Sequence, residues 1–234
     1  MNFMSGDSQT LAQMSSAAYN PVGNRPDVGQ YEARAHLAGP RTAVFEGPND
    51  VVISHRGTVW SDMQDIADDA RIAIGNPVGK KRIADASRIT KAAQKFGKPI
   101  RHTGHSLGGA VARKVARDQG QPNTTFSRWT GLTMNPENAA ATRQCKEGKN
   151  HAHCNNTTDF YNQHDIATSN INADYGKKIK SNQTQSMGIQ QNHGLEQFTN
   201  FQSSGNFVVK KARKEKVEHP QKELMDLAMK MAQS

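Results

Sequence analysis

Residues 104–108 read Gly-His-Ser-Leu-Gly, and Gly109 and Ala110 follow directly. Upstream, Pro99-Ile100-Arg101-His102-Thr103 is short enough and apolar enough for a buried strand. Downstream, Leu107 to Gln119 has the pattern of a helix closed by Gly120. One serine held between the end of a strand and the start of a helix, with small residues on both sides, marks a sharp turn. The glycines let strand and helix approach closely, and the serine Oγ is presented at the tip, beside the positive end of the helix. A glycine-rich helix start with an ordinary N-cap serine is the plainer reading of the same residues. The strand on one side and the helix on the other favour the turn, and the turn demands an α/β chain.

The rest of the sequence alternates accordingly. Ala43-Val44-Phe45 and Val51-Val52-Ile53 are apolar runs separated by Gly47-Pro48-Asn49-Asp50, which reads as two strands joined by a turn. Helical spacing occurs at roughly Gln9 to Tyr19, over residues 62–74, and from about Lys80 to Phe96, with Gly97 placed to cap the last. Gly131 to Met134 and Asp159 to Asn162 are the best strand candidates in the more polar second half. This alternation implies a mostly parallel central sheet covered by helices. Leu224, Leu227, Ala228 and Met231 return to helical spacing after Pro220. Residues 1–206 therefore read as a single domain, and 207–234 as a basic link and a short amphipathic helix that docks on it.

A serine nucleophile needs a base and a group that orients the base. In this type of fold the chain order is Ser, then Asp or Glu, then His. Asp165 lies just beyond the strand candidate at 159–162, and His193 lies late in the domain, in Gln191-Asn192-His193-Gly194. Asp159 and Asp174 compete for the acid, and His151, His153 and His164 for the base; order favours His193. Val51 to Thr58 is a strand running into a loop upstream of the serine. A backbone N–H of that loop, with that of Leu107, is placed to hold the oxyanion of a tetrahedral intermediate.

The succession His55-Arg56-Gly57-Thr58, the acidic Asp62 and Asp65, Thr103-Gly104-His105-Ser106-Leu107-Gly108-Gly109-Ala110, a strand-end Asp and a late His resembles the class 3 lipases. These are α/β-hydrolases that include fungal-type triacylglycerol lipases. The resemblance covers about Ala43 to Phe198, and the Leu11–Pro21 stretch is compatible with it. It implies a serine ester hydrolase acting on lipids such as triacylglycerol, with Ser106 as nucleophile, Asp165 as orienting acid and His193 as general base. Thr58 and Leu107 would supply the oxyanion donors, and no metal or organic cofactor is implied. The chain departs from the family at His55, where an apolar aromatic is usual. The segment that often forms a lid offers only Val59, Trp60, Met63 and Ile66 as large apolar groups. Phospholipids and shorter esters therefore stand beside triacylglycerol as substrates. A catalytically silent domain of the same fold is the alternative.

Leu, Ile, Val and Phe account for only 38 of the 234 residues, and the formal net charge is +9. Such a composition brings disorder into contention, and the order of the motifs argues against it. Residues 79–117 hold eleven Lys and Arg against the single acidic Asp85, the source of the basic excess. A solvated helix face and a surface for anionic lipid headgroups are both open readings of that stretch. Nucleic acid is disfavoured, since no aromatic interleaving or known motif accompanies the charge. No run approaches the roughly 18 to 20 apolar residues of a membrane span. The start, MNFMSGDSQT, has no signal-peptide pattern, so the expectation is an intracellular protein. Cys145 and Cys154 flank His151 and His153 at a spacing that matches no zinc finger or ribbon. Unpaired or locally bridged cysteines are favoured there over a metal site.

Overall fold

In the computed structural model, residues 6–58, 79–130, 136–148, 151–168, 171–181, 193–199 and 207–210 are described. The expected helix at 62–74, the lid residues Val59, Trp60 and Met63, the strand at 131–134 and the C-terminal helix lie outside them. Among the described residues, eight strands stand side by side in chain order. They are β1 (Glu32–Ala33), β2 (Thr42–Glu46), β3 (Val51–His55), β4 (Ile100–His105), β5 (Asn123–Phe126), β6 (Thr157–Tyr161), β7 (Lys177–Ser181) and β8 (Phe207–Lys210). From β3 to β7 every neighbour is parallel, whereas β1, β2 and β8 pair antiparallel at the two sides. The result is a mixed, mostly parallel sheet flanked by helices. Because β8 pairs with β7, the sheet takes in residues 207–210, which the sequence pattern had placed in the link.

Helices α1 (Gly6–Ala17), α2 (Lys80–Ala93), α3 (Leu107–Gln119) and α4 (Pro136–Lys146) complete the frame. α2 ends in a 3-10 turn over Gln94–Phe96, and Gly97 takes the left-handed conformation at φ 66°. Gly120 does the same for α3 at φ 67°, as its sequence position required.

Strand alternation divides the core. Val44, Val51, Ile53 and Ile100 meet Ile89 and Ala93 of α2. The residues between them, Phe45 and Val52, face the other way with Phe126, Phe160 and Ile179, where they pack on Leu11, Ala12 and Met14 of α1 and on Leu195 and Phe198. Close approach of α1 to the sheet is fixed by small hydroxyls: Ser54 Oγ donates to the Met14 carbonyl, and Ser15 and Thr103 share a hydrogen bond of 3.0 Å. Of the strands that the sequence pattern did not mark, β5 and β7 escaped it because their buried side chains include Asn123, Thr125 and Lys178.

The basic stretch 79–117 separates into two parts. Lys98, Arg101, Arg113, Lys114 and Arg117 are held in ion pairs with acidic side chains, and Arg82 is buried. Lys80, Lys81, Arg88, Lys91 and Lys95 are exposed on α2 and the turn that follows it. Most of the expected patch is thus structural, and its solvent-facing part is a basic row on one helix.

Candidate active site

Parallel strands deliver three loops to one edge of the sheet: Arg56–Thr58 after β3, Ser106 after β4, and the segment around Asp165 after β6. Ser106 sits at φ 56° and ψ −128°, a strained conformation for a residue with a side chain. Its neighbours are small because there is no room for more. A Cβ on Gly104 would lie 2.5 Å from the Gly108 carbonyl oxygen, and one on Gly108 would collide with the carbonyl of His55. The turn is held by backbone bonds: Ser106 N–H donates to Phe126 O at 3.1 Å, and Trp129 N–H donates to Ser106 O at 3.0 Å.

Ser106, Asp165 and His193 come together. The Ser106 Oγ is 2.7 Å from His193 Nε2, and His193 Nδ1 is 2.8 Å from Asp165 Oδ2. The carboxylate only accepts, so Nδ1 carries the ring proton and Nε2 is left to accept from the serine hydroxyl. Asp165 is 2% exposed and its Oδ1 accepts the Ala167 N–H at 3.0 Å, which fixes its plane. The His193 side chain keeps 22% exposure, so the proton acceptor faces the outside while the acid does not.

The oxyanion candidates occupy the same corner. Leu107 is the first residue of α3, where a backbone N–H has no partner within the helix. Gly57 lies against the turn so closely that a Cβ on it would stand 3.0 Å from Ser106 Cβ, which brings the following Thr58 to the same place.

The competing acids and bases go elsewhere. Asp159 and Asp174 lie in a buried ionic cluster with Arg113, Arg128 and Lys178. His151 and His153 stack on each other beside a disulfide between Cys145 and Cys154. His164 Nε2 bonds with the Gln163 side-chain amide.

Three side chains at the site had not been singled out. His105, inside the serine motif, donates from Nε2 to the backbone carbonyl of His193 at 2.7 Å, and its Nδ1 accepts from the Tyr19 hydroxyl at 2.8 Å. Burial, reinforced by the His193 ring, lowers its pKa to about 3, so it stays neutral in this tautomer. Trp129 stands edge-on to the His193 ring at 6.4 Å. The signals in the sequence were weak: His105 filled an unspecified motif position, and Tyr19 sits in the early stretch compatible with the resemblance.

His55, the departure from the family pattern, is also accounted for. It stacks on His102 at 5.4 Å inside the sheet. Gln121 Oε1 accepts from His102 Nε2, so His102 Nδ1 accepts from His55 Nε2, and His55 Nδ1 in turn accepts from Thr42. Burial lowers His102 to about 4 and His55 well below its ordinary value, which keeps both rings neutral.

A profile of the Tle-like phospholipase domain matches residues 6–210 of the sequence. The chain belongs to this phospholipase-like family. The match begins with α1 and ends with β8, so it spans the sheet and the site together. The structure is also similar to the lipase–propeptide complex of Rhizomucor miehei, at 14% identity over 85% of this chain and 79% of that one, with a TM-score of 0.49. At that distance the likeness carries no argument about chemistry. No curated protein sequence matches the chain. The Tle-like family turns the expected resemblance from triacylglycerol lipases toward phospholipases. Among the described residues of this Tle-like domain, no helix is long and apolar enough to cross a membrane.

Proposed function

We propose that the chain hydrolyses the acyl esters of glycerophospholipids through an acyl-enzyme on Ser106. The observation that carries this reading is the continuous Ser106–His193–Asp165 hydrogen-bond chain at a strained strand-to-helix turn, in a phospholipase-like domain. Ser106 Oγ attacks the acyl carbonyl carbon as its proton passes to His193 Nε2. The oxyanion is held by backbone N–H groups at Leu107 and Thr58; removal of one such donor costs about 2.7–4 kcal/mol in comparable enzymes. His193 then gives its proton to the departing lysophospholipid alkoxide. Water enters, loses a proton to His193, attacks the acyl-enzyme, and releases the fatty acid and the serine. Asp165 remains ionised throughout and stabilises the imidazolium.

The basic row on α2 suits an anionic bilayer as the surface from which substrate is drawn. The test is fatty-acid release from phospholipid vesicles. Wild type should be active and Ser106→Ala inactive, with only the wild type labelled by a fluorophosphonate probe. Labelling without ester turnover would overturn the substrate class. No labelling of the folded wild type would instead favour a catalytically silent domain that binds anionic surfaces.

A further inference from the structure

The half-buried cluster beside α4 belongs to no step of that chemistry. Cys145 in the last turn of α4 and Cys154 in the one-turn helix Ala152–Asn155 are bridged, with Cα atoms 5.5 Å apart. One ligand atom each from Cys145, His153 and Cys154 lies within 4.8 Å of the other two. His153 Nε2 is buried and has no hydrogen-bond partner among the described residues, and the same is true of His151 Nε2. A buried imidazole nitrogen is costly to leave without a hydrogen-bond partner, and among the described residues two occur here on rings stacked 5.2 Å apart.

His153 is held in place from two sides: its ring stands edge-on against Tyr175 at 5.0 Å, and Thr157 Oγ1 donates to its backbone carbonyl at 2.9 Å. A metal-bound histidine is oriented in the same way by its surroundings.

We propose that the reduced form of this cluster is a binding site for a thiophilic divalent cation such as zinc. Cys145, Cys154 and His153 are its ligands, with His151 stacked on His153 beside them. The disulfide and the metal are alternatives. A dithiol reductant supplies two electrons and two protons to the bridge, giving two cysteine thiols and its own disulfide. The cation then displaces both thiol protons and takes the two thiolates and His153 Nε2. A tetrahedral zinc with Zn–S of about 2.3 Å holds its sulfurs about 3.8 Å apart, a separation that side-chain rotation gives at this Cα spacing. Disulfides persist in oxidising compartments and thiols in reducing ones, so the same loop is closed by a bridge in one and by a metal in the other. This inference is independent of the role of Ser106.

The experiment uses the full chain, reduced with a phosphine, desalted without oxygen and titrated with cobalt(II). Reduced wild type should develop thiolate-to-cobalt charge transfer and tetrahedral d–d bands that saturate at one cobalt per chain, and zinc should bleach them. Oxidised wild type should show neither. His153→Ala, which leaves the bridge able to form, should weaken cobalt binding by at least about 10-fold, the low end of the loss from a metal site's outer partners alone. His151→Ala should weaken it less. If reduction alone loosens the fold, cobalt should restore the far-ultraviolet circular dichroism, because binding then drives folding. Absence of the charge-transfer band, failure of that restoration, or a band of unchanged affinity in His153→Ala would each overturn the site.

Discussion

Asp159 and Asp165 lie six positions apart on β6 and the loop after it, both almost completely buried. Asp159 accepts from Arg113, Arg128, Lys178 and the hydroxyl of Thr125. Burial would raise its pKa, but the charges of Arg128, Lys178 and Arg113 carry it well below the usual carboxylate range. Every one of these partners is itself buried, and Lys178 is lowered by burial to about 8 despite the pull of Asp159. Among the described residues, Asp165 meets one ionisable partner, the partly exposed His193, which leads outward to Ser106. A buried carboxylate closed off by cations can hold a structure together, but has no group to pass a charge to. A buried carboxylate on an imidazole with an open far side can support proton transfer. Burial and ion pairing alone would rank Asp159 ahead of the aspartate that meets His193.

Substitutions at the two regions should therefore separate activity from stability. The largest effect is expected for Ser106→Ala, a loss of about 10⁶-fold in kcat on phospholipid vesicles with an unchanged unfolding midpoint. Asp165→Asn should lose about 10⁴-fold, again with little change in urea unfolding. A variant at either position that unfolded instead would break the contrast. Asp159→Asn should show the opposite: it leaves three buried cations short of a counter-charge, and the expected cost is about 3–5 kcal/mol in urea unfolding.

Acid should act through a third set of groups, the neutral histidines His55, His102 and His105. Their folded pKa values are depressed, so the unfolded chain binds protons first. Stability is full above about pH 6.5 and falls as the pH drops toward 4, by about 1.4 kcal/mol per pH unit per histidine. Thermal unfolding of wild type and His102→Gln across this window checks it; the variant should show a shallower slope. The smallest effect is expected for Tyr19→Phe. Losing one hydrogen bond of about 1 kcal/mol to His105 should reduce kcat about 5-fold and leave KM unchanged, which a change in substrate binding would not do.

The serine turn was legible because most of its demands are local: Gly104 is required by its approach to Gly108 four positions on, and Leu107–Gln119 carries its own helical spacing and cap, while Gly108 answers to His55 on the neighbouring strand. Asp165 and His193 were legible only by order along the chain. Nothing local distinguishes Asp165 from Asp159, since the cations that neutralise Asp159 come from α3, β7 and the segment after β5. The same long-range pairing hid two strands. Thr125, Asp159 and Lys178 stand in register across β5, β6 and β7, so a buried row of the sheet is polar, and hydrophobic alternation has nothing to detect there. The charge count misled for a related reason: Arg113 is core, not surface.

Gln9 of α1 donates to the carbonyl of Thr199 across 190 positions of sequence, and the apolar face of α1 closes on Leu195 and Phe198. His193 arrives on that same final segment. During synthesis the serine turn is made long before His193 exists, and α1 emerges without its cover. Completion of this half of the core and assembly of the Ser106–His193 pair are thus one event, which waits for residues 193–199. A nascent chain released before residue 193 would carry the serine motif with neither a base nor a closed core.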